Sequence, residues 1–419
     1  MDSVAAFVSG ASAVSTQALS LQSSSKCGVC VGKSGFHSQS ARNMRVRASN
    51  SIKSASTSAI RMAYEGQPIK VGVLGCTGSV GQRFIELLGS HPWFQIVALG
   101  ASTRSAGKSY VDAVNWKQAV AIPESVRDVM VSACDPSLKE FADTKIIFSG
   151  LDNEVAGDIE ESFAAAGKAV FSNAKNHRMD ADVPILIPSV NAAHVDMIPL
   201  QQKNRGWKSG FIVTNANCST TVMSIGLKPI ADAFGLDVVQ VTTMQAISGA
   251  GYPGLPSMDI LDNVVPFIGS EEEKMESESL KILGKVSDGK FENASFKVSA
   301  MCNRVHVLDG HMEAVSIKLK KSASPEEVIA AIQSYPSVTK ELGLPSAPAN
   351  DVVYNPAKDR PQTRLDRNLG NGFTVSVGRV RPCKVNDIRL VCLGHNTIVG
   401  AAGGSILNAE YCVVKDLIQ

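Results

Sequence analysis

The stretch Ile69-Lys70-Val71-Gly72-Val73-Leu74-Gly75-Cys76-Thr77-Gly78-Ser79-Val80-Gly81 decides how the first half of the chain folds. Its apolar, β-branched opening reads as a buried strand, and Gln82–Leu88 reads as a helix. Between them, Gly75, Gly78 and Gly81 stand in a G-x-x-G-x-x-G pattern. The first two glycines let backbone approach a pyrophosphate at the helix N-terminus, where unpaired N–H groups and the dipole favour an anion. The third allows close packing of helix on strand. Glycines alone mark any tight turn, but a strand before and a helix after make this a dinucleotide fingerprint. Thr77, Ser79 and Val80, set among the glycines, join them as candidate cofactor contacts.

Further along, Phe94–Leu99 reads as a second strand ending in Gly100-Ala101-Ser102-Thr103-Arg104-Ser105. A site for NAD usually places an acid here for the ribose 2′-hydroxyl. This chain has none; Ser102, Arg104 and Ser105 suit a 2′-phosphate, so NADP is preferred over NAD. The bland reading of Arg104 is a solvated loop charge. Lys145–Gly150 and Ala169–Phe171 read as strands, with a helix over Ile159–Ala166 between them. This alternation predicts an α/β fold with a mostly parallel, doubly wound sheet. Ligands gather at the carboxyl ends of such strands. Ser149, Gly150, Ser172 and Asn173 are therefore expected to line the nicotinamide cleft. Pro184–Val190 reads as another apolar strand, with a helix beginning in 191–197.

The chain has 419 residues, 44% of them apolar, enough for two domains. No apolar run is long enough to span a bilayer. The formal charge of +2 is unevenly spread: residues 1–62 hold Asp2 against Lys26, Lys33, Arg42, Arg45, Arg47, Lys53 and Arg61. That Ser- and Ala-rich, basic leader reads as an organelle transit peptide, for the chloroplast before the mitochondrion. The remainder is mildly acidic and has no basic runs, which argues against nucleic acid as a partner. Of the nine cysteines, Cys27 and Cys30 form an isolated C-x-x-C inside the leader. Cys76, Cys134, Cys302, Cys383, Cys392 and Cys412 are scattered singly and read as packed thiols; no metal site is expected.

The reactive candidate is Cys218. Phe211-Ile212-Val213 ends in Asn215-Ala216-Asn217-Cys218-Ser219-Thr220-Thr221, a strand that stops and presents a thiol at the start of a helix. Ser219 or Thr220 is the expected N-cap. Helix-terminal N–H groups should lower the thiol pKa below the ~8.5 of free cysteine. A strand over Asp237–Gln245 leads into a Gly/Pro-rich loop with Gln245 at its mouth. Ser270, with Glu273 three residues on, predicts a capped helix whose acids mostly form a solvated face. Asp309-Gly310 signals a turn that sets His311 at the start of a strand. Strands are expected over Phe373–Val380 and Asp387–Leu393. After Asn396, small residues open a terminal helix expected to return to the nucleotide domain.

Together these segments resemble the aspartate-semialdehyde dehydrogenase family in its archaeal and fungal style. The likeness runs from about Pro68 to the C-terminus. It rests on the fingerprint, on Asn217-Cys218-Ser219, on the Met244–Gly254 loop, on the acidic Glu271–Leu283 segment and on Cys302–His311. The resemblance implies a Rossmann-type doubly wound NADP-binding domain (63–217), an α+β catalytic and dimerisation domain (218–385), and a segment 386–419 that rejoins the first. It implies NADPH-dependent conversion of 4-aspartyl phosphate to L-aspartate 4-semialdehyde and phosphate, on the route to lysine, threonine, methionine and isoleucine. The assembly it implies is a homodimer, with a tetramer as the alternative. Carried over by motif, Cys218 is the nucleophile that forms a thioester, His311 its acid/base partner, and Gln245 and Asn217 the active-site amides. Arg304 would meet the substrate α-carboxylate and Glu271 its α-amino group. Lys274 and Arg178 would meet phosphate, and Asn396 the cofactor.

The sequence departs from the family in two places. Ala216 stands where proline commonly precedes the Asn-Cys pair, and His306 adds a second imidazole, read here as a structural hydrogen-bonding partner. Three other readings compete: an N-acetyl-glutamyl-phosphate reductase or malonyl-CoA reductase on the same scaffold, a nucleotide sensor without catalysis, and a cysteine hydrolase. Glu271 argues against the first, because an acylated amine has no use for a carboxylate.

Overall fold

The computed structural model describes residues 66–418. The basic leader, with Cys27 and Cys30, lies outside the described residues. Six parallel strands form the first sheet: β1 (Ile69–Leu74), β2 (Phe94–Ala101), β3 (Val131–Ala133), β4 (Ile146–Ser149), β5 (Ala169–Ser172) and β6 (Phe211–Thr214). Their order, β3-β2-β1-β4-β5-β6, is that of a doubly wound dinucleotide sheet. β1 and β4 are adjacent and parallel. The strand order reverses between them, and a crevice opens at their carboxyl ends. One face of the sheet is covered by the fingerprint helix Ser79–Leu88 and the C-terminal helix Gly403–Val414. Phe84, Phe94 and Phe171 pack around Phe148, and Phe211 against Phe171, in tilted and edge-on pairs with ring centroids 5.1–6.1 Å apart.

The second sheet is mixed: β7 (Leu236–Gln245), β8 (Val264–Val265), β11 (Lys297–Val305), β12 (His311–Leu319), β13 (Val352–Asn355), β14 (Val375–Pro382) and β15 (Ile388–Gly394), ordered β13-β14-β15-β12-β7-β11-β8. A hairpin, β9 (Lys285–Ser287) and β10 (Lys290–Glu292), stands apart from it. Helices Cys218–Phe234, Glu271–Ile282 and Pro325–Gln333 pack on this second half. In register, Arg304 of β11 pairs with Gln245 of β7, and Met312 of β12 with Met244. One end of three adjacent strands therefore gathers Arg304, Gln245 and His311.

Three expectations need correction. Pro184–Val190 is no strand: only Ile185 bridges to Thr214, and Pro188–Asn191 turns into a short helix. An apolar run of that length fits a buried loop as well as a strand, and Asn191 satisfies its backbone by accepting from Ile187 N–H and donating to the Ile185 carbonyl. Ser270 adopts a left-handed conformation (φ 58°) and its side chain caps nothing. Nor are the acids of the Glu271–Ile282 helix mainly solvated. Glu272 and Glu276 accept from the Cys302 and Ala300 N–H groups at 2.9 and 3.0 Å, sealing the β11 edge, while Glu271 and Glu278 are buried.

Candidate active site

Cys218 is the first residue of its helix, directly beyond β6. The cap is Asn217, not Ser219 or Thr220: its Oδ1 accepts from the N–H of both at 3.0 and 3.1 Å. An Asx side chain in extended backbone just outside the helix reaches these orphan donors, which residues inside the first turn cannot do. The Nδ2 of Asn217 donates to Glu271 Oε1 at 2.8 Å. One amide therefore both shapes the nucleophile's helix and orients a carboxylate.

Nε2 of His311 lies 3.1 Å from Sγ of Cys218. On the far side of the ring, the Ala246 backbone N–H donates to Nδ1 at 3.0 Å. A ring nitrogen that accepts carries no proton, so the imidazole proton sits on Nε2 and faces the sulfur. Burial pushes the thiol up to about 12, with the Glu271 carboxylate adding to the rise and Arg304 and Arg178 opposing it. Burial, then Arg304 and His395, push His311 down to about 3. This overturns the expectation of a readily ionised thiol: the helix terminus does favour thiolate, but loss of water outweighs it. The resting pair is a neutral thiol beside a neutral imidazole.

The thiol opens into a cavity of about 550 Å³ shared by both halves of the protein. Glu271, Lys274, Arg304 and Arg178 line it together with Asn217, as does Lys175, which the sequence reading passed over. Arg304 is buried and donates to the Ala246 carbonyl at 2.7 Å. Lys274 approaches Glu271 at 3.4 Å. Arg178 donates to the Asn173 carbonyl at 2.8 Å and pairs with Glu278 at 3.0 Å. Gln245 is buried behind this wall with its amide donating to Thr243 Oγ1 at 3.3 Å, and is not among the residues lining the cavity. His306 is exposed, and among the described residues its side chain has no hydrogen-bond partner, so it is not the structural partner expected.

The fingerprint fits a dinucleotide. Gly75 has φ 68°, and a Cβ at Gly81 would sit 2.1 Å from the Gly75 carbonyl, so both positions admit only glycine. Gly78 is exposed at the helix entrance, and Thr77 turns its carbonyl to Gln82 Nε2 at 2.9 Å. Ser79, Val80, Gly150, Asn173 and Asn396 line the same cavity as Cys218. Ser102, Arg104 and Ser105 form a turn just past β2, with Ser102 and Arg104 exposed. Ser149 and Ser172 are placed otherwise than expected. Both are buried against Glu160 on the helix Asn153–Ala165, and Ser172 Oγ donates to it at 2.8 Å. Period-two alternation at the end of a strand decides between cleft and core, and those hydroxyls fall on the core side. Asn396 accepts from Gly310 N–H and donates to Ser248 Oγ, both at 2.8 Å, tying the turn before His311 to the loop after β7.

A dinucleotide sheet whose crevice holds a thiol–imidazole pair, a guanidinium and a carboxylate defines a cysteine-dependent NAD(P) dehydrogenase. Two family descriptions match the chain: "Semialdehyde dehydrogenase, NAD binding domain" over residues 70–198 and "Semialdehyde dehydrogenase, dimerisation domain" over 227–399. An aspartate-semialdehyde dehydrogenase of Cryptococcus neoformans is 53% identical over 362 residues, covering 84% of this chain and 98% of its own. That of Archaeoglobus fulgidus is 48% identical over 348 residues, covering 83% and 99%. The crystal structure of the Candida albicans enzyme with NADP superposes with a TM-score of 0.78 at 47% identity, covering 84% of this chain and all of that one. The chain belongs to the aspartate-semialdehyde dehydrogenase family.

Proposed function

We propose that this protein reduces 4-aspartyl phosphate to L-aspartate 4-semialdehyde, releasing phosphate, with NADPH as the reductant. One observation carries the reading: the Cys218 sulfur, 3.1 Å from the His311 ring, opens into the cavity lined by both Gly150 and Arg304. Arg304 takes the α-carboxylate, for which a planar guanidinium is suited, and Glu271 takes the α-amino group. Lys274 and Arg178 hold the phosphoryl group. Cys218 attacks the acyl carbon as its thiol proton passes to the departing phosphate, the carbon–oxygen bond to phosphate breaks, and a thioester remains. His311 is the acid/base partner; its Nε2 proton is aimed at the sulfur and steadies negative charge there. Asn217 keeps Glu271 oriented, and Gln245 supports Arg304 from the neighbouring strand. Bound NADPH supplies the hydride that reduces the thioester. Arg104 with Ser102 and Ser105 selects the 2′-phosphate, and Asn396 meets the nicotinamide end.

Phosphate-dependent NADP reduction tests the activity with L-aspartate 4-semialdehyde beside N-acetyl-glutamate semialdehyde. Turnover only with the acetylated aldehyde would remove this reading. Cys218→Ser should abolish turnover and leave NADPH affinity nearly intact. The product serves lysine, threonine, methionine and isoleucine synthesis.

The protein is a homodimer built on the open face of the seven-stranded sheet. There Gln240, Thr242, Ala314 and Arg389 are exposed, and Met301 is 50% exposed. Light scattering on the eluting peak tests this, and a monomer would refute it. Residues 1–62 direct import into the chloroplast stroma, on the strength of their basic, Ser-rich composition. A fusion of that leader to a fluorescent reporter should accumulate in plastids; accumulation in mitochondria selects the second choice.

A further inference from the structure

Glu271, Lys274, Glu278 and Lys281 recur at helical spacing and turn one charged stripe of the Glu271–Ile282 helix inward. Glu271 and Lys274 are assigned to the substrate. Glu278 is only 2% exposed, and both its oxygens are engaged. Oε1 takes Nη1 of Arg178 at 3.0 Å, and Oε2 takes the backbone N–H of Asn217 at 2.7 Å. One buried carboxylate therefore joins the loop after β5 to the residue preceding the nucleophile. Lys281, one turn further, donates to the carbonyls of Arg178, Asp180 and Val183 at 2.7–2.8 Å, fixing the backbone of the loop whose side chain Glu278 holds.

We infer that Glu278 is a positioning residue that builds the phosphate subsite, aiming the Arg178 guanidinium into the cavity while locking Asn217 and the start of the Cys218 helix. The inference rests on the assignment of Arg178 to phosphate. Arg178 Nη2 goes to the Asn173 carbonyl, and its buried Nε has no partner. With two of its nitrogens held by Glu278 and Asn173, the guanidinium plane is set before any anion arrives. Preorganisation of this kind lowers the cost of binding, because the rotamers of a long side chain are already fixed. The carboxylate also offsets the charge of Arg178, which is therefore not an isolated buried cation.

The test is the enzyme run in the phosphate-consuming direction, with separate KM values for phosphate, semialdehyde and NADP. In Glu278→Gln the amide can accept from only one of the two donors and turns its own N–H toward the other. The KM for phosphate should rise about tenfold, the equivalent of one charge-assisted hydrogen bond. The KM for semialdehyde and for NADP should stay within about twofold, and kcat should fall as Asn217 loses its anchor. Glu278→Asp keeps the charge and should recover part of the phosphate affinity. It also serves if the glutamine variant folds poorly. A phosphate KM that does not move, or three KM values that rise together with lost thermal stability, would overturn the inference. Arg178→Met separates the two readings. If it raises the phosphate KM while Glu278→Gln does not, only the positioning role falls; if it has no effect on phosphate, the subsite assignment falls and the inference with it.

Discussion

The Ala246 backbone N–H points at Nδ1 of His311 from 3.0 Å, and this one bond decides which face of the imidazole carries the proton. With Nδ1 accepting, Nε2 is the N–H, and it lies 3.1 Å from Sγ of Cys218. To become imidazolium, the ring would have to set a second N–H against that of Ala246. The guanidinium of Arg304, and then the imidazole of His395, also oppose it.

A pH profile of alkylation of the free enzyme follows from that arrangement. The groups acting on the sulfur are Glu271, which disfavours thiolate, and Arg304 and Arg178, which favour it; burial exceeds all three. With the thiol pushed up to about 12, thiolate increases about tenfold per pH unit throughout pH 6–9. Inactivation by iodoacetamide should therefore accelerate steadily over this range. A free thiol would begin to plateau near ~8.5. A plateau at neutral pH, or a step near the ~6.5 of ordinary histidine, would show that the pair is an ion pair and that the neutral assignment is wrong.

Asn217→Ala separates the two jobs of that side chain. Losing the cap on Ser219 and Thr220 should cost about 1 kcal/mol of stability in denaturant titration. Losing the bond to Glu271 should raise the KM for semialdehyde as well. Asn217→Ser restores a cap acceptor but is too short to reach Glu271. It should recover stability without recovering substrate affinity. Recovery of both would mean that the contact with Glu271 contributes little.

What the sequence revealed depended on how local the signal was. The strand, three glycines and helix of Ile69–Leu88 are contiguous, as are the Asn217-Cys218 junction and the Asp309-Gly310 turn. Each was legible because a single backbone conformation suits those residues. Ser149 and Ser172 were misplaced because the parity of a strand end cannot be read without its register. Glu278 was visible only as one of several acids in a helix; its seven-residue spacing from Glu271 marks the face, but nothing local says the face is buried. The thiol's ionisation was misjudged for a similar reason. Helix position is written in the neighbouring residues, whereas the groups that crowd Cys218, among them His311 and Gly400, come from far along the chain.

Gly400→Ala tests a contact between the terminal segment and the nucleophile. A Cβ there would stand 3.0 Å from Cβ of Cys218 and 3.2 Å from its Cα. Neither atom can rotate away, so the start of the helix must shift. A contact at 3.0–3.2 Å is relieved by a shift of a few tenths of an ångström, well short of the ~1 Å misplacement that costs about a hundredfold in rate. kcat should fall by about threefold to tenfold, with NADPH affinity by fluorescence titration nearly unchanged. Equal loss of both would locate the damage in the nucleotide cleft instead.

Glu313→Gln should make the protein more resistant to alkaline conditions. Glu313 lies on the central strand β12 between Thr243 and Cys392, is fully buried, and neither carboxylate oxygen has a hydrogen-bond partner. Burial, and then the nearby Glu271, hold its carboxyl well above the ordinary range, so the fold keeps it protonated. In the unfolded chain it ionises near ~4.3. A folded value above the unfolded one means stability that is complete at acid pH and lost as pH rises toward the folded value. Glutamine has nearly the same shape and does not titrate. The thermal midpoint of the variant relative to the parent should therefore climb between pH 5 and pH 8, by about 1–2 °C per kcal/mol recovered in a protein of this size. Parallel curves for the two proteins would show that Glu313 is not held neutral by its surroundings.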